Sequence, residues 1–278
     1  MISAGCRWLA GASLVLAFAT VPAQAQTSQQ VTWCENRDFK FAPDQQIDGC
    51  TAVIQSGHYS GRSLAVAFSN RCGAWRDKGD LDSALDDCNQ SLKLDRNYAG
   101  AYVNRGNVWD DKHDEDRALA DYSEAIRLDP KDANAYDMRA NAYSAMGDHD
   151  GAIADYNRSL RLNPNDPTTY NNRCDELLQV HQYKAALDDC NESLRMRPDH
   201  ANTLQHRANA YLALGELDKA IADYDASVQL YPKSAWTLYG RGLAKKKRGD
   251  ADAQADIDAA EAISSEIAGS FEKAYGVK

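Results

Sequence analysis

Six arginines, Arg71, Arg105, Arg139, Arg173, Arg207 and Arg241, stand at an unbroken interval of thirty-four residues. A fixed interval of that size marks one supersecondary unit repeated in tandem, each unit burying its apolar face on the next. It confines the 278-residue chain to an elongated array rather than a single closed core. It also moves the functional expectation from a pocket that does chemistry to a surface that holds other molecules.

The unit is clearest from Ala133 to Asp166. Ala133-Asn134-Ala135-Tyr136 opens a helix, and Arg139, Ala140 and Tyr143 continue a stripe at helical spacing. Gly147-Asp148 breaks the chain, glycine being suited to a helix C-terminus. Ala152, Ile153, Tyr156, Leu160 and Leu162 share one face of a second helix, which Asn163-Pro164 ends because proline cannot continue it. The same pattern places units at 65–98, 99–132, 133–166, 167–200, 201–234 and 235–269. A degenerate unit at 26–64, in which Trp33, Cys34, Cys50 and Ile54 keep the register, precedes them, and a tail at 270–278 follows. The last unit reads with one extra residue near Ala253–Ala255, because the alanine rhythm resumes late, at Ala255 and Ala262.

Counted from each unit's first residue, position four holds Phe68, Tyr102, Tyr136, Tyr170, Leu204 and Leu238. Position eight is small throughout: Cys72, Gly106, Ala140, Cys174, Ala208 and Gly242. Alanine fills position twenty at Ala84, Ala118, Ala152, Ala186 and Ala220, and proline fills position thirty-two at Pro130, Pro164, Pro198 and Pro232. This pattern resembles the tetratricopeptide repeat family over roughly Gln26 to Gly269. The resemblance implies an all-α, right-handed α-solenoid of antiparallel helix pairs with a concave groove. The departure is position seven, always Arg here, where the family usually has an aliphatic residue.

The first twenty-five residues read as a secretory leader: Arg7, an apolar run from Leu9 to Val21, and Ala23-Gln24-Ala25 before a cleavage at Gln26. The run is too short for a confident transmembrane helix, and Cys6 lies too far upstream to be a lipid-modified cleavage cysteine. The expectation is an exported, periplasmic or secreted chain with no direct membrane insertion. Formal charge is −10, which argues against nucleic acid, since a phosphate-binding surface needs a concentrated basic face.

In an antiparallel hairpin, residues equidistant from the turn face each other. The turn sits near position sixteen, so position eight should meet position twenty-four. Cys34/Cys50, Cys72/Cys88 and Cys174/Cys190 are each sixteen residues apart and occupy those slots. Three disulfides are expected, since small residues at a helix crossing allow the approach of about 4.4–6.8 Å that a disulfide requires. An exported chain would keep them. A metal site or redox dithiol lacks its CxxC or histidine partners. In three other units the same slots hold Gly106/Tyr122, Ala140/Tyr156 and Ala208/Tyr224.

Each position-seven arginine is followed sixteen residues later by an aspartate: Arg71/Asp87, Arg105/Asp121, Arg139/Asp155, Arg173/Asp189 and Arg207/Asp223. Asp258 takes that place after Arg241 if the extra residue is counted. Structural ion pairs are the favoured reading, over an arginine row that grips an acidic ligand.

The resemblance implies a groove lined by positions two, five, six, nine, twelve and thirteen of each first helix. Asn70, Asn104 and Asn172 hold position six, and Asn107, Asn141 and Asn209 hold position nine. Their carboxamides suit the backbone of an extended guest, or are simply solvated. The family's lysine-based carboxylate clamp is absent. Groove charge runs from Arg76, Asp77, Asp110 and Asp111 through Leu178, Leu212 and Ala213 to Lys245–Arg248, a polarity that would orient a guest. Arg248-Gly249-Asp250 reads as a hairpin turn. No phosphate loop, nucleophile elbow or histidine cluster appears, so no cofactor, metal or catalytic role is expected. The expected function is a scaffold for a protein or peptide. The alternative is a self-associating structural protein, with Phe271 and Tyr275 as its possible handle.

Overall fold

The computed structural model describes residues 23–36 and 40–277, and within them the chain forms fifteen helices and no strand. The leader lies outside the described residues except for its last three, which open α1 (Ala23–Glu35). α1 pairs with α2 (Pro43–Gln55), α3 (Gly61–Asp77) with α4 (Leu81–Leu94), and α5 (Ala99–Asp111) with α6 (Glu115–Leu128). α7 (Ala133–Ala145) pairs with α8 (His149–Leu162), and α9 (Pro167–Gln179) with α10 (Tyr183–Met196). α11 (Ala201–Ala213) with α12 (Leu217–Leu230) and α13 (Ala235–Arg248) with α14 (Ala253–Ile263) complete the hairpins, and α15 (Ile267–Tyr275) follows.

Among the described helices, five starts are capped by aspartate side chains, those of α4, α6, α7, α8 and α9. Asp114 and Asp148 accept the backbone N–H three residues on, at 3.1 and 3.0 Å, and so satisfy a donor that a helix N-terminus leaves unpaired. The turn inside each hairpin requires a left-handed residue. Gly79, Gly147 and Gly215 supply it at φ 84°, 76° and 77°, and His113 and His181 adopt it at φ 58°. Ala84, Ala118, Ala152, Ala186 and Ala220 are fully buried where the two helices of a pair cross.

Three hairpins are joined at that crossing by disulfides: Cys34–Cys50, Cys72–Cys88 and Cys174–Cys190, with Cα atoms 4.4, 5.4 and 5.6 Å apart. The closest of the three bridged crossings is α1 on α2. A Cβ placed on Gly49 would fall 2.6 Å from the Trp33 Cβ and 2.8 Å from the Gln30 carbonyl oxygen. Gly49→Ala is therefore expected to force the two helices apart. It should cost about 1–3 kcal/mol in urea-melt stability, more than alanine's helix propensity returns.

The arginine row joins repeats as well as helices. Arg139 donates Nε and Nη2 to Asp155 at 2.6 and 3.0 Å, and Nη1 to Ser123 of the preceding unit at 3.0 Å. Arg71, Arg105, Arg173 and Arg207 make the same bidentate contact with Asp87, Asp121, Asp189 and Asp223. Their third donor reaches back to Thr51, Asn89, Asn157 and Asn191 respectively. With both acceptors on second helices, the guanidinium heads are committed inside the stack.

The last unit departs from expectation. Arg241 pairs with Asp256, fifteen residues on, while Asp258 only accepts from Gln254. Ala253 takes the buried alanine slot, and a Cβ on Gly242 would meet Ile257. The unit is thus one residue shorter than the others between its helices, where the alanine rhythm suggested one longer. The shortening is absorbed at the turn, where Gly249 is left-handed at φ 93° and α14 begins only at Ala253.

Candidate functional site: the inner wall of the solenoid

First helices touch one another along one side of the stack, as α1 on α3, α3 on α5, α5 on α7, α9 on α11 and α11 on α13. Each second helix packs between its own first helix and the next one. The first helices therefore form an inner wall, and its character changes along its length.

The N-terminal stretch is open and polar. A cavity of about 350 Å³ lies over α1, α2, α3 and α5, lined by Asn36, Asn70, Arg76, Asp77, Asn104 and Asn107 among others. Asn70 makes no side-chain hydrogen bond among the described residues. Asn104 donates from Nδ2 to the Ser69 carbonyl and hydroxyl at 3.0 and 2.9 Å, which leaves its oxygen to the groove. Arg76 holds Asp111 with two bonds, at 2.6 and 3.2 Å. Burial and the neighbouring Asp111 push the Asp110 carboxyl above its ordinary range.

The position-nine asparagines have a different task. Asn107, Asn141 and Asn209 accept the buried phenols of Tyr122, Tyr156 and Tyr224 at 2.8, 2.5 and 2.6 Å. Burial drives those phenols well above their ordinary range, so each stays a donor. Asn209 is 1% exposed with α15 in place. The signal was present in the chain: Asn stands at position nine only where Tyr stands at twenty-four. The disulfide-bearing units have Glu35, Gly73 and Asp175 instead.

A cavity of about 310 Å³ opens midway, between Asn141, Asn172, Asp175, Glu176 and His206. Asn172 reaches Asn141 at 3.3 Å, and Glu176 is buried against Ser144 and His149.

Beyond this point the wall is covered by the chain's own end. α15 leaves the stack and packs on α13 and α9. Phe271, Tyr275 and Val277 are buried in one cluster with Leu178, Leu212 and Leu243. Trp236 and Tyr239 lie 6.0 and 5.4 Å from the Phe271 ring, and Trp236 lies 5.8 Å from that of Tyr275. The tail aromatics, read from sequence as a handle for a second copy, are buried here on the chain's own wall. The terminal basic cluster is also partly spent, with Lys245 on Asp252 and Asp256 and Arg248 on Asp250 and Asp218.

Among the described residues, no group of His, Cys, Asp and Glu is arranged to hold a metal ion, and no helix is long and apolar enough to cross a membrane.

This geometry defines a helical-repeat protein with a graded inner groove. Family models described as tetratricopeptide repeat match residues 74–133 and 133–166, and one described as TPR repeat matches 208–249. The chain is a member of the tetratricopeptide repeat family. Among solved structures it is similar to YrrB, described as a TPR protein with an unusual peptide-binding site, at 20% identity and a TM-score of 0.59 over 69% of this chain and 97% of that one. It is also similar to MamA, at 21% identity and a TM-score of 0.54 over 62% of this chain and 94% of that one. A tetratricopeptide repeat protein from Parabacteroides merdae aligns over 90% of this chain and 99% of its own, at 16% identity and a TM-score of 0.60. No curated protein matches the chain.

Proposed function

We propose that the protein is a non-catalytic scaffold of the cell envelope that holds a protein or extended peptide against its inner wall. The observation that carries this reading is the open polar stretch over α3 and α5. There Asn70 and the free oxygen of Asn104 face a cavity of about 350 Å³ beside paired charges. A carboxamide both donates and accepts, so it can pair with main-chain groups of a guest regardless of the guest's side chains. Three internal disulfides and the expected leader support an exported, oxidising location. The peptide-binding site in the description of YrrB supports the class of guest.

The test is in-cell crosslinking of the tagged protein beside an Asn70→Ala/Asn104→Ala variant, with captured proteins identified by mass spectrometry. A client recovered with the parent and at least tenfold depleted from an equally stable variant is the expected result. Equal recovery from both forms would overturn the assignment of the guest to this stretch. Capture of only further copies of the chain would favour the self-associating alternative.

A further inference from the structure

α15 is placed as a guest would be. Its side chains contact Trp236 and Tyr239 of α13 and share one buried cluster with the groove positions Leu178 of α9, Leu212 of α11 and Leu243 of α13. Its aromatic residues are four apart, so Phe271 and Tyr275 lie on one helical face with centroids 5.0 Å apart. Its C-terminal turn is recognised too, since the Tyr183 hydroxyl donates at 3.0 Å to the Tyr275 carbonyl, a group that a helix end leaves unpaired. Its contacts with α14 are sparse, and Glu266 makes no side-chain cap bond. Nine residues are too few for a helix that is stable alone in water, so its helical form depends on the wall it covers.

We infer that the wall over α9, α11 and α13 is a docking site for the C-terminal turn of a partner helix with two aromatic side chains four residues apart, and that α15 is its resident occupant, which the partner must displace. The inference builds on the scaffold reading but concerns a separate stretch of the groove. If this site fails while the Asn70 and Asn104 stretch still captures its client, only this inference falls. The occupant's chemistry sets the guest's. The pocket takes two rings and a following aliphatic residue, as Val277 does, and Tyr183 and His181 bound the exit, a Cβ on Gly276 lying 3.2 Å from the His181 ring. A tethered helix competes at a high effective concentration, so a free guest binds with its affinity reduced by the fraction of molecules in which α15 is released.

The probe is a fluorescein-labelled peptide of residues 266–278, titrated by anisotropy into the full chain and into full-length Phe271→Ala/Tyr275→Ala. The double variant is expected to bind it saturably and at least tenfold more tightly than the parent does, and a peptide carrying the same two alanines should not compete. Should the double variant prove unstable, full-length Tyr183→Phe decides the matter, because it removes the hydroxyl's bond to the Tyr275 carbonyl, and with it that hydroxyl's contact with the His181 ring, but no packing. That bond serves resident and probe alike, so Tyr183→Phe should weaken probe binding to a Phe271→Ala chain by roughly threefold, and in the parent it should speed hydrogen exchange of α15 by a similar factor. Equal probe affinity for parent and double variant, or α15 exchange in Tyr183→Phe unchanged from the parent, would overturn the inference.

Discussion

Replacing all six bridged cysteines by alanine should remove about 9 kcal/mol of stability, on the chain-entropy model in which a loop of this length contributes roughly 3 kcal/mol. That is comparable to the whole stability of an ordinary domain, about 5–15 kcal/mol, so the reduced array should be largely unfolded at 37 °C. The three bridges sit in separate hairpins, and their effects should add. Urea melts of the single-pair variants, with far-UV circular dichroism as the signal, check this. The neighbouring units also supply a repair that separates packing from cross-linking. Cys72→Ala, Cys88→Tyr and Gly73→Asn together rebuild the small residue, tyrosine and asparagine found at Ala140, Tyr156 and Asn141. A Cβ on Gly73 has room, the nearest atom being 4.0 Å away. This triple variant should melt higher than Cys72→Ala/Cys88→Ala and lower than the parent. If it matches the parent, the disulfide contributes only volume.

Asp155→Ala should cost about 3–5 kcal/mol, because it leaves the Arg139 guanidinium inside the stack with one neutral partner in place of a bidentate carboxylate. Asp155 has a side chain 10% exposed and Arg139 one 19% exposed, so water offers little compensation. The comparison is Glu192→Ala, which frees Arg195 on a surface where both side chains are well exposed and should change stability by less than about 1 kcal/mol. Removing both charges, as Arg139→Met with Asp155→Leu, should restore most of the loss, since an apolar pair of similar volume needs no partner. Thermal melts of the four proteins decide the matter. An Asp155→Ala variant as stable as Glu192→Ala would mean that the ladder is a solvated ornament.

Periodicity made the hairpins legible because position, repeated over six units, specifies which residues must meet across a turn. The cysteine pairs and the Arg139–Asp155 type of contact follow from that one rule. The rule failed where the spacing changed: between α13 and α14 the turn is one residue shorter, and Asp256 rather than Asp258 meets Arg241. It also understated the arginines, whose third bond runs backwards to residues such as Asn89 and Ser123, between units and not within one. The asparagines show a further limit. A groove position was read as a groove role, whereas the Asn141 oxygen is drawn inward by the Tyr156 phenol, which must find an acceptor when buried. The docking of α15 lies outside any repeat rule, since nothing in a thirty-four-residue register says that Phe271 will return to Trp236.

All three sulfur bridges close within a hairpin and none crosses from one unit to the next. The chain is therefore a string of stiffened links whose joints stay non-covalent. Oxidation fixes the width of the three bridged links and adds no covalent constraint on the pitch from one unit to the next. In an oxidising compartment, with which the bridges are consistent, those three links would stay fixed while the joints between units rest on packing and hydrogen bonds alone.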